Sequence, residues 1–138
     1  MLRCTALALL TLAIPFLIGA KKDTETLPLP IGSYERQTST QNKWLIQWDG
    51  TPNSDYYVTY GATTKINGVD HEDSASIEGN QLPLKLTFFL EPGAVVSATI
   101  NLSSDGTASA KIFRNGSLCD SAKQIGNRPS IRVTCFPE

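Results

Sequence analysis

The feature that most constrains the fold is an alternation of apolar and polar residues in short runs, which continues from Lys43 to the C-terminus. Alternation places every second side chain on one face of a strand, so each run predicts a strand with one buried face. In the run KWLIQWD, the residues Trp44, Ile46 and Trp48 fall on the same face. Runs of this kind predict strands over residues 43–49, 56–61, 63–69, 74–78, 84–90, 95–102, 107–114, 117–121 and 131–136.

Turn-forming residues separate these runs. Asn-Gly pairs stand at 67–68 and 115–116, Glu-Pro-Gly stands at 91–93 and Ser-Ser-Asp-Gly at 103–106. Glycine and asparagine accept the positive φ that tight turns require. About eight short strands with such turns predict an all-β, immunoglobulin-like β-sandwich of about 7–8 strands, with a small closed barrel as the alternative. The predicted core consists mostly of Trp44, Ile46, Trp48, Val58, Leu86, Phe88, Val96, Ala98, Ile100, Ala110, Ile112, Ile131 and Val133.

Residues 1–20 have the three parts of a secretory signal peptide. Arg3 gives positive charge, residues 6–18 are apolar, and small residues precede a charged stretch. Leu-Ile-Gly-Ala at 17–20 matches the end of a lipoprotein signal, except that Ala20 replaces the cysteine that receives the lipid. We therefore predict cleavage after Ala20, no lipidation, and a secreted or periplasmic protein. An uncleaved N-terminal membrane anchor is the alternative, although about seventeen apolar residues lie at the lower limit for crossing a bilayer.

The remaining chain is long enough for one domain. Residues 21–42 are polar and contain Pro28 and Pro30, which predicts a flexible linker from which Ile31 and Tyr34 can dock on a β-sandwich domain at 43–138. Cleavage leaves 118 residues, with 11 basic against 13 acidic side chains and a net charge of −2. The basic residues are scattered along the chain, so we predict no nucleic-acid partner.

Signal cleavage also decides the pairing of the cysteines. Cys4 leaves with the signal peptide, so Cys119 and Cys135 remain as an even pair. Exported proteins meet an oxidising environment, which predicts a disulfide between the two. A metal site formed by two thiolates is the alternative, but His71 is the one histidine of the chain.

Several pieces of the chain between residues 56 and 135 follow one another in a characteristic order. They are YYVTYG, a Leu-Pro before a hydrophobic strand, PGAVVS, GTASAKIFRNG and a final RVTC. In this order they resemble the small MmpS accessory proteins and related short bacterial lipoproteins, whose signal often ends Cys-Lys-Lys-Asp where this chain has AKKD. The resemblance implies an extracytoplasmic β-sandwich, membrane-tethered in the family, that works beside large lipid-exporting transporters of the resistance-nodulation-division type.

The sequence predicts binding rather than catalysis. It contains no Gly-x-Ser-x-Gly motif, and its histidine lies in the charged run VDHED at 69–73. That run could hold a divalent cation, but a solvated hairpin tip is the preferred interpretation. We therefore predict no enzyme and no cofactor, and little functional role for His71 or Asp73.

The predicted contact residues are Tyr56, Tyr57 and Tyr60, and the turn at 91–93 is predicted to support them in the same contact surface. Alternation must expose at least one of these rings, and tyrosine combines apolar area with a hydroxyl. Trp44 and Trp48 could also stack on sugar or lipid if exposed, but the core is the preferred place for them. The preferred function is a non-catalytic accessory module that assists an envelope transporter for lipid or small molecules. A secreted adhesin-like or inhibitor-type protein is the alternative.

Because Ala20 occupies the position that would carry the lipid, we expect the natively exported protein to begin at Lys21. Intact-mass measurement of that protein checks the start and the lipid together. A mass that includes diacylglycerol, or one that retains Met1–Ala20, contradicts the prediction.

Overall fold

The computed structural model describes residues 27–138, and the predicted signal peptide lies outside the described residues. The described part contains eight strands: β1 (Asn42–Gly50), β2 (Tyr56–Ile66), β3 (Val69–Gly79), β4 (Leu84–Leu90), β5 (Val95–Leu102), β6 (Gly106–Arg114), β7 (Ser117–Gly126) and β8 (Ser130–Cys135). No helix within residues 27–138 has the length and hydropathy needed to cross a membrane.

The strands form two antiparallel sheets, and this confirms the predicted all-β sandwich. One sheet has the order β4-β1-β6-β7 and the other has the order β3-β2-β5-β8. The β2–β3 and β6–β7 connections stay within a sheet, and the other connections cross from one sheet to the other. Crossing connections of this kind are typical of immunoglobulin-like sandwiches. We call the two sheets the β1 sheet and the β2 sheet, after a central strand of each.

The core lies between the inner faces of the two sheets. Trp44, Ile46 and Trp48 of β1 are completely buried, which confirms the prediction that both tryptophans belong to the core. Every residue of the predicted core is buried except Ile131, which is partly buried against it. The buried set also includes residues that were not predicted: Tyr56, Tyr60, Ala62, Leu90, Ala94, Leu102, Ala108 and Cys135.

The β2–β3 hairpin differs from the prediction. Separate strands were predicted at 63–69 and 74–78, with a solvated tip formed by the charged run between them. The structure instead has the tip at Asn67-Gly68, whose φ angles are 52° and 79°. Two consecutive positive φ angles are those of a type I′ turn, which matches the twist of antiparallel strands. The turn pairs β2 with β3 along their whole length, so His71 lies opposite Thr64 within the ladder.

A disulfide joins the two sheets along one side of the sandwich. Cys119 in β7 and Cys135 in β8 are bonded, with their Cα atoms 5.7 Å apart, and this confirms the predicted pairing. The pairing of β6 with β7 skips Cys119, which makes it the extra residue of a β-bulge. The neighbouring Asp120 accepts a hydrogen bond from the Thr134 N–H through Oδ2 at 2.8 Å. A covalent bond and a charged hydrogen bond therefore hold two edge strands together.

Residues 27–34 link the sheets on the opposite side. The Ile31 N–H donates to Asp73 Oδ2 in β3 at 2.7 Å, and Tyr34 exchanges two backbone hydrogen bonds with Phe89 in β4, at 3.0 and 3.1 Å. The side chains of Ile31 and Tyr34 remain about half exposed, so both residues dock through their backbones. Pro30, which directly precedes Ile31, is buried.

Replacing both Cys119 and Cys135 with alanine should lower the free energy of unfolding by about 3 kcal/mol, because the bond closes a loop of 16 residues. Urea unfolding followed by tryptophan fluorescence measures the change. Reducing agent should destabilise the parent protein and leave the double variant unaffected, which serves as the control. Equal unfolding midpoints for the oxidised parent and the variant would contradict the prediction.

Candidate functional site

The three tyrosines predicted as contact residues lie on opposite faces of β2. Tyr56 and Tyr60 point into the sandwich and are 7% and 1% exposed, whereas Tyr57 points outward and is 42% exposed. A ring in the core cannot stack on a ligand, so we remove Tyr60 from the contact set. Tyr56 lines the same surface depression as Tyr57, although most of its ring is buried.

A depression of about 670 Å³ surrounds Tyr57 at one end of the β2 sheet, where β2 begins and β3 and β5 end. We call it the Tyr57 depression. The chain reaches it in three short stretches, and the lining residues are Asp55, Tyr56, Tyr57, Glu78, Gly79, Asn80, Asn101, Leu102 and Ser103. Sequence reasoning found only the tyrosines, because the other residues are brought beside them by strand pairing.

Strand register places a carboxylate and an amide on either side of the Tyr57 ring. Tyr57 lies directly opposite Glu78 of β3 and directly opposite Asn101 of β5. Side chains opposite one another in an antiparallel sheet point to the same face, with Cβ atoms roughly 4.5–5.5 Å apart. The exposed ring therefore has polar groups within reach on both flanks.

Hydrogen bonds hold the amide of Asn101 in one orientation. Its Nδ2 donates to the Tyr57 carbonyl oxygen at 3.4 Å, and its Oδ1 accepts from the Ser130 hydroxyl. An amide side chain has two N–H donors and two lone pairs on its oxygen. The described contacts thus leave Asn101 one donor and one acceptor position for a ligand.

The two ends of the depression are also fixed. Ser103 donates to the Asp55 carbonyl oxygen twice, from its N–H at 3.0 Å and from its hydroxyl at 3.2 Å. Gly79 lies opposite Tyr56, and a Cβ at this glycine would stand 2.6 Å from the Tyr56 Oη. The absence of a side chain at position 79 therefore lets the Tyr56 phenol extend across β3 and form part of the floor.

The charges that line the depression are negative. Asp55 and Glu78 are its ionisable acids, and no lysine, arginine or histidine is among the described lining residues. Two carboxylates repel phosphates, sulfates and other anions. The depression therefore suits a neutral or positively charged ligand.

The other residues singled out from the sequence lie elsewhere. His71 is seven residues along the β2–β3 ladder from the Tyr57–Glu78 pair, a distance of roughly 23 Å. The turn at 91–93 comes before β5, whereas Asn101, which faces Tyr57, lies near the end of that strand, so the turn lies at the other end of the β2 sheet from Tyr57. Within residues 27–138, no three metal-binding side chains are grouped to hold an ion.

Comparison with family models, with curated proteins and with solved structures finds no match to this chain. The similarity to MmpS proteins therefore stays a prediction, and the geometry of the Tyr57 depression is the basis for a functional proposal.

Tyr60 is a buried ionisable group on the inner side of the same strand. Its ring packs against Trp48 at a centroid distance of 5.7 Å, and its hydroxyl has no hydrogen-bond partner among the described residues. Burial, and to a smaller extent the negative charge of Asp73, raise the pKa of Tyr60 to about 12. The folded protein consequently holds this proton more tightly than the unfolded chain does.

Tyr60→Phe should leave the free energy of unfolding at pH 7 unchanged or raise it, because the substitution removes a buried hydroxyl without a partner. The parent protein should lose roughly 2 kcal/mol between about pH 10 and 12, since the unfolded tyrosine ionises first. The variant should lack this component of the loss. Chemical denaturation of both proteins at pH 7, 9 and 11 checks the prediction, and parallel pH profiles would contradict it.

Proposed function

We propose that the protein is a non-catalytic extracytoplasmic binding module that holds a neutral, hydroxyl-rich ligand, such as a saccharide, against the ring of Tyr57. The observation that carries the proposal is the exposed Tyr57 ring with Glu78 on one flank and Asn101 on the other. An aromatic ring offers a flat apolar surface to the C–H face of a sugar. Carboxylate and amide groups beside the ring can form hydrogen bonds with the sugar hydroxyls, as a few polar groups do in many small-molecule binding sites.

Rigidity of the site also supports binding. Asn101 is held by two hydrogen bonds, and Tyr57 stands on a central strand that is paired on both sides. Groups that are ordered before a ligand arrives lose less conformational entropy on binding. A site on strands of the sandwich therefore needs little rearrangement to accept a ligand.

We propose no reaction at this site. A nucleophilic hydroxyl needs a base within hydrogen-bond reach. The hydroxyl of Ser103 lies in the Tyr57 depression, but His71 lies near the other end of the hairpin. We therefore assign the groups that line the depression to ligand binding and not to a reaction.

The extracytoplasmic location is supported by the bond between Cys119 and Cys135, since disulfides persist in oxidising compartments. Within this class we prefer an envelope accessory role, similar to MmpS proteins, in which the module assists a transporter for lipid or small molecules. A secreted adhesin-like or inhibitor-type protein is the alternative. Co-purification of a large transporter from native envelopes favours the accessory role, and purification without one favours the alternative.

Tyr57→Ala should weaken binding of the neutral oligosaccharide that the parent protein binds best by at least about tenfold, because the apolar surface of the ring is lost. The ligand is first selected on an array of oligosaccharides built from glucose, galactose, mannose and N-acetylglucosamine units. Calorimetric titration of the selected oligosaccharide then measures the affinities. Tyr57→Phe should retain most of the binding, since it keeps the ring.

Tyr34→Ala is the matched control, because Tyr34 is also about half exposed but lies at the β4 edge, away from the depression. His71→Ala should likewise have no effect. Loss of binding in the histidine variant alone would reopen the metal or acid–base interpretation. Equal affinity of Tyr57→Ala and the parent would remove Tyr57 from the contact surface, and release of reducing sugar during the titration would contradict the non-catalytic proposal.

A further inference from the structure

Four lysines lie on the outer face of the β1 sheet. Trp44, Ile46 and Trp48 fill the inner face of β1, so the alternate positions of this strand and its partners point outward. The outward positions of the four strands include Lys43 in β1, Lys85 in β4, Lys111 in β6 and Lys123 in β7, and all four are exposed. We call this surface the lysine face.

Strand pairing brings these lysines close together. Lys85 and Lys111 lie opposite the same residue, Gln47, from either side, so they are separated by two strand spacings of about 4.8 Å each. Lys111 lies opposite Ser121, which puts Lys123 at a diagonal distance of roughly 7–8 Å. Lys111 thus lies roughly one Debye length from Lys85 and from Lys123 at physiological salt.

The lysine face keeps a net positive charge, because its four lysines outnumber its acidic side chains. Asp49 is the acidic side chain at the outward positions of its strands. The ion pairs among the described residues are Lys65 with Asp70 and Arg114 with Glu138, so none involves a lysine of this face. The chain carries a formal net charge of −1, and four of the nine basic side chains among residues 27–138 nevertheless lie on this one face.

Apolar side chains accompany the lysines on this face. Leu45 lies opposite Phe113, and Phe113 lies opposite Leu118, so the three form a row across β1, β6 and β7. Leu118 is 54% exposed, and Ile125, farther along β7, is 72% exposed. Exposed apolar residues next to unpaired lysines are the composition of a surface that meets the headgroup region of a membrane.

We propose that the lysine face docks on an anionic lipid surface. Lysines act as flexible point charges, which suits many mobile headgroups better than one fixed phosphate group. The row of Leu45, Phe113 and Leu118, together with Ile125, can enter the region between headgroups and acyl chains. A soluble polyanion has no such apolar region, so these residues favour a membrane as the partner. The proposal goes beyond the ligand site, because the Tyr57 depression opens on the other sheet and would face away from the membrane.

The test is co-sedimentation of the full chain with vesicles of phosphatidylcholine containing 30% phosphatidylglycerol, and with vesicles of pure phosphatidylcholine, at low salt. The parent protein should bind the anionic vesicles more strongly, and high salt should weaken that difference. All variants keep the same N-terminus, so any binding through that segment, which carries Arg3, Lys21 and Lys22, is the same in every variant, and the comparison between variants isolates the lysine face.

The triple variant Lys85→Gln, Lys111→Gln, Lys123→Gln should lose on the order of 100-fold in partitioning to anionic vesicles, roughly fivefold per lysine. The control variant Lys65→Gln, Arg128→Gln, Arg132→Gln makes the same change in net charge away from the lysine face and should partition like the parent. Circular dichroism and urea unfolding establish that both variants are folded. Equal losses in the two variants, or no preference of the parent for anionic vesicles, would overturn the proposal.

Leu118→Asn separates a membrane from other occupants of the face. It should lower partitioning to anionic vesicles by about tenfold and leave binding to dextran sulfate, a polyanion without an apolar phase, unchanged. If Leu118→Asn partitions like the parent, binding depends on charge alone, and this would overturn the membrane assignment. Sedimentation without vesicles tests for a dimer. A concentration-dependent dimer that the triple lysine variant does not form would assign the face to a second copy of the chain, and this would also overturn the membrane assignment.

Discussion

Trp44, Ile46 and Trp48 leave no surface to solvent, and their burial in the core between the two sheets is the interaction on which the rest of the structure depends. Large aromatic side chains each remove on the order of 150–250 Å² from water, so the strand that carries two of them must lie inside the sandwich. β1 is accordingly a central strand, paired with β4 on one side and β6 on the other. Tyr60 of β2 packs against Trp48 and sets the facing side of the core.

This packing also decides what the outer faces present. Side chains alternate along a strand, so a shift of one residue would exchange the two faces completely. With Trp44 and Trp48 inside, Lys43 and Leu45 must be outside, and with Tyr56 and Tyr60 inside, Tyr57 must be outside. The chemistry of both surfaces therefore follows from the core that holds the sheets together.

The sides of the sandwich are closed by different means, and the outer faces remain open. The Cys119–Cys135 bond and the Asp120–Thr134 contact join the sheets on one side. Residues 27–34 link β3 to β4 on the other. One open face offers a carboxylate-lined depression around Tyr57, and the other offers lysines beside apolar residues. The two outer faces therefore carry opposite charge, which is the basis of the proposed ligand site on one sheet and of the proposed membrane contact on the other.

The prediction of a solvated tip at Asp70–Asp73 was wrong for a physical reason. A cluster of charges usually indicates a loop because charged side chains prefer water. The β2–β3 hairpin satisfies that preference within a strand, since β3 is an edge strand and its charged half is exposed on both faces. The Asn67-Gly68 turn was the stronger signal, because its backbone geometry determines the register of the hairpin.

The sequence by itself determined the elements that depend on local chemistry or on simple counting. These are the strands with their buried faces, the Asn-Gly turns, and the pairing of Cys119 with Cys135, which follows once an oxidising compartment is assumed. Only the tertiary structure decided which side chains become neighbours. Asn101 meets Tyr57, and Lys85 lies near Lys111, because strands far apart in the chain are paired in a particular register. A turn such as Asn67-Gly68 specifies the register within one hairpin. The register between strands that no tight turn joins arises from the packing of the whole core, so no local pattern of residues specifies it.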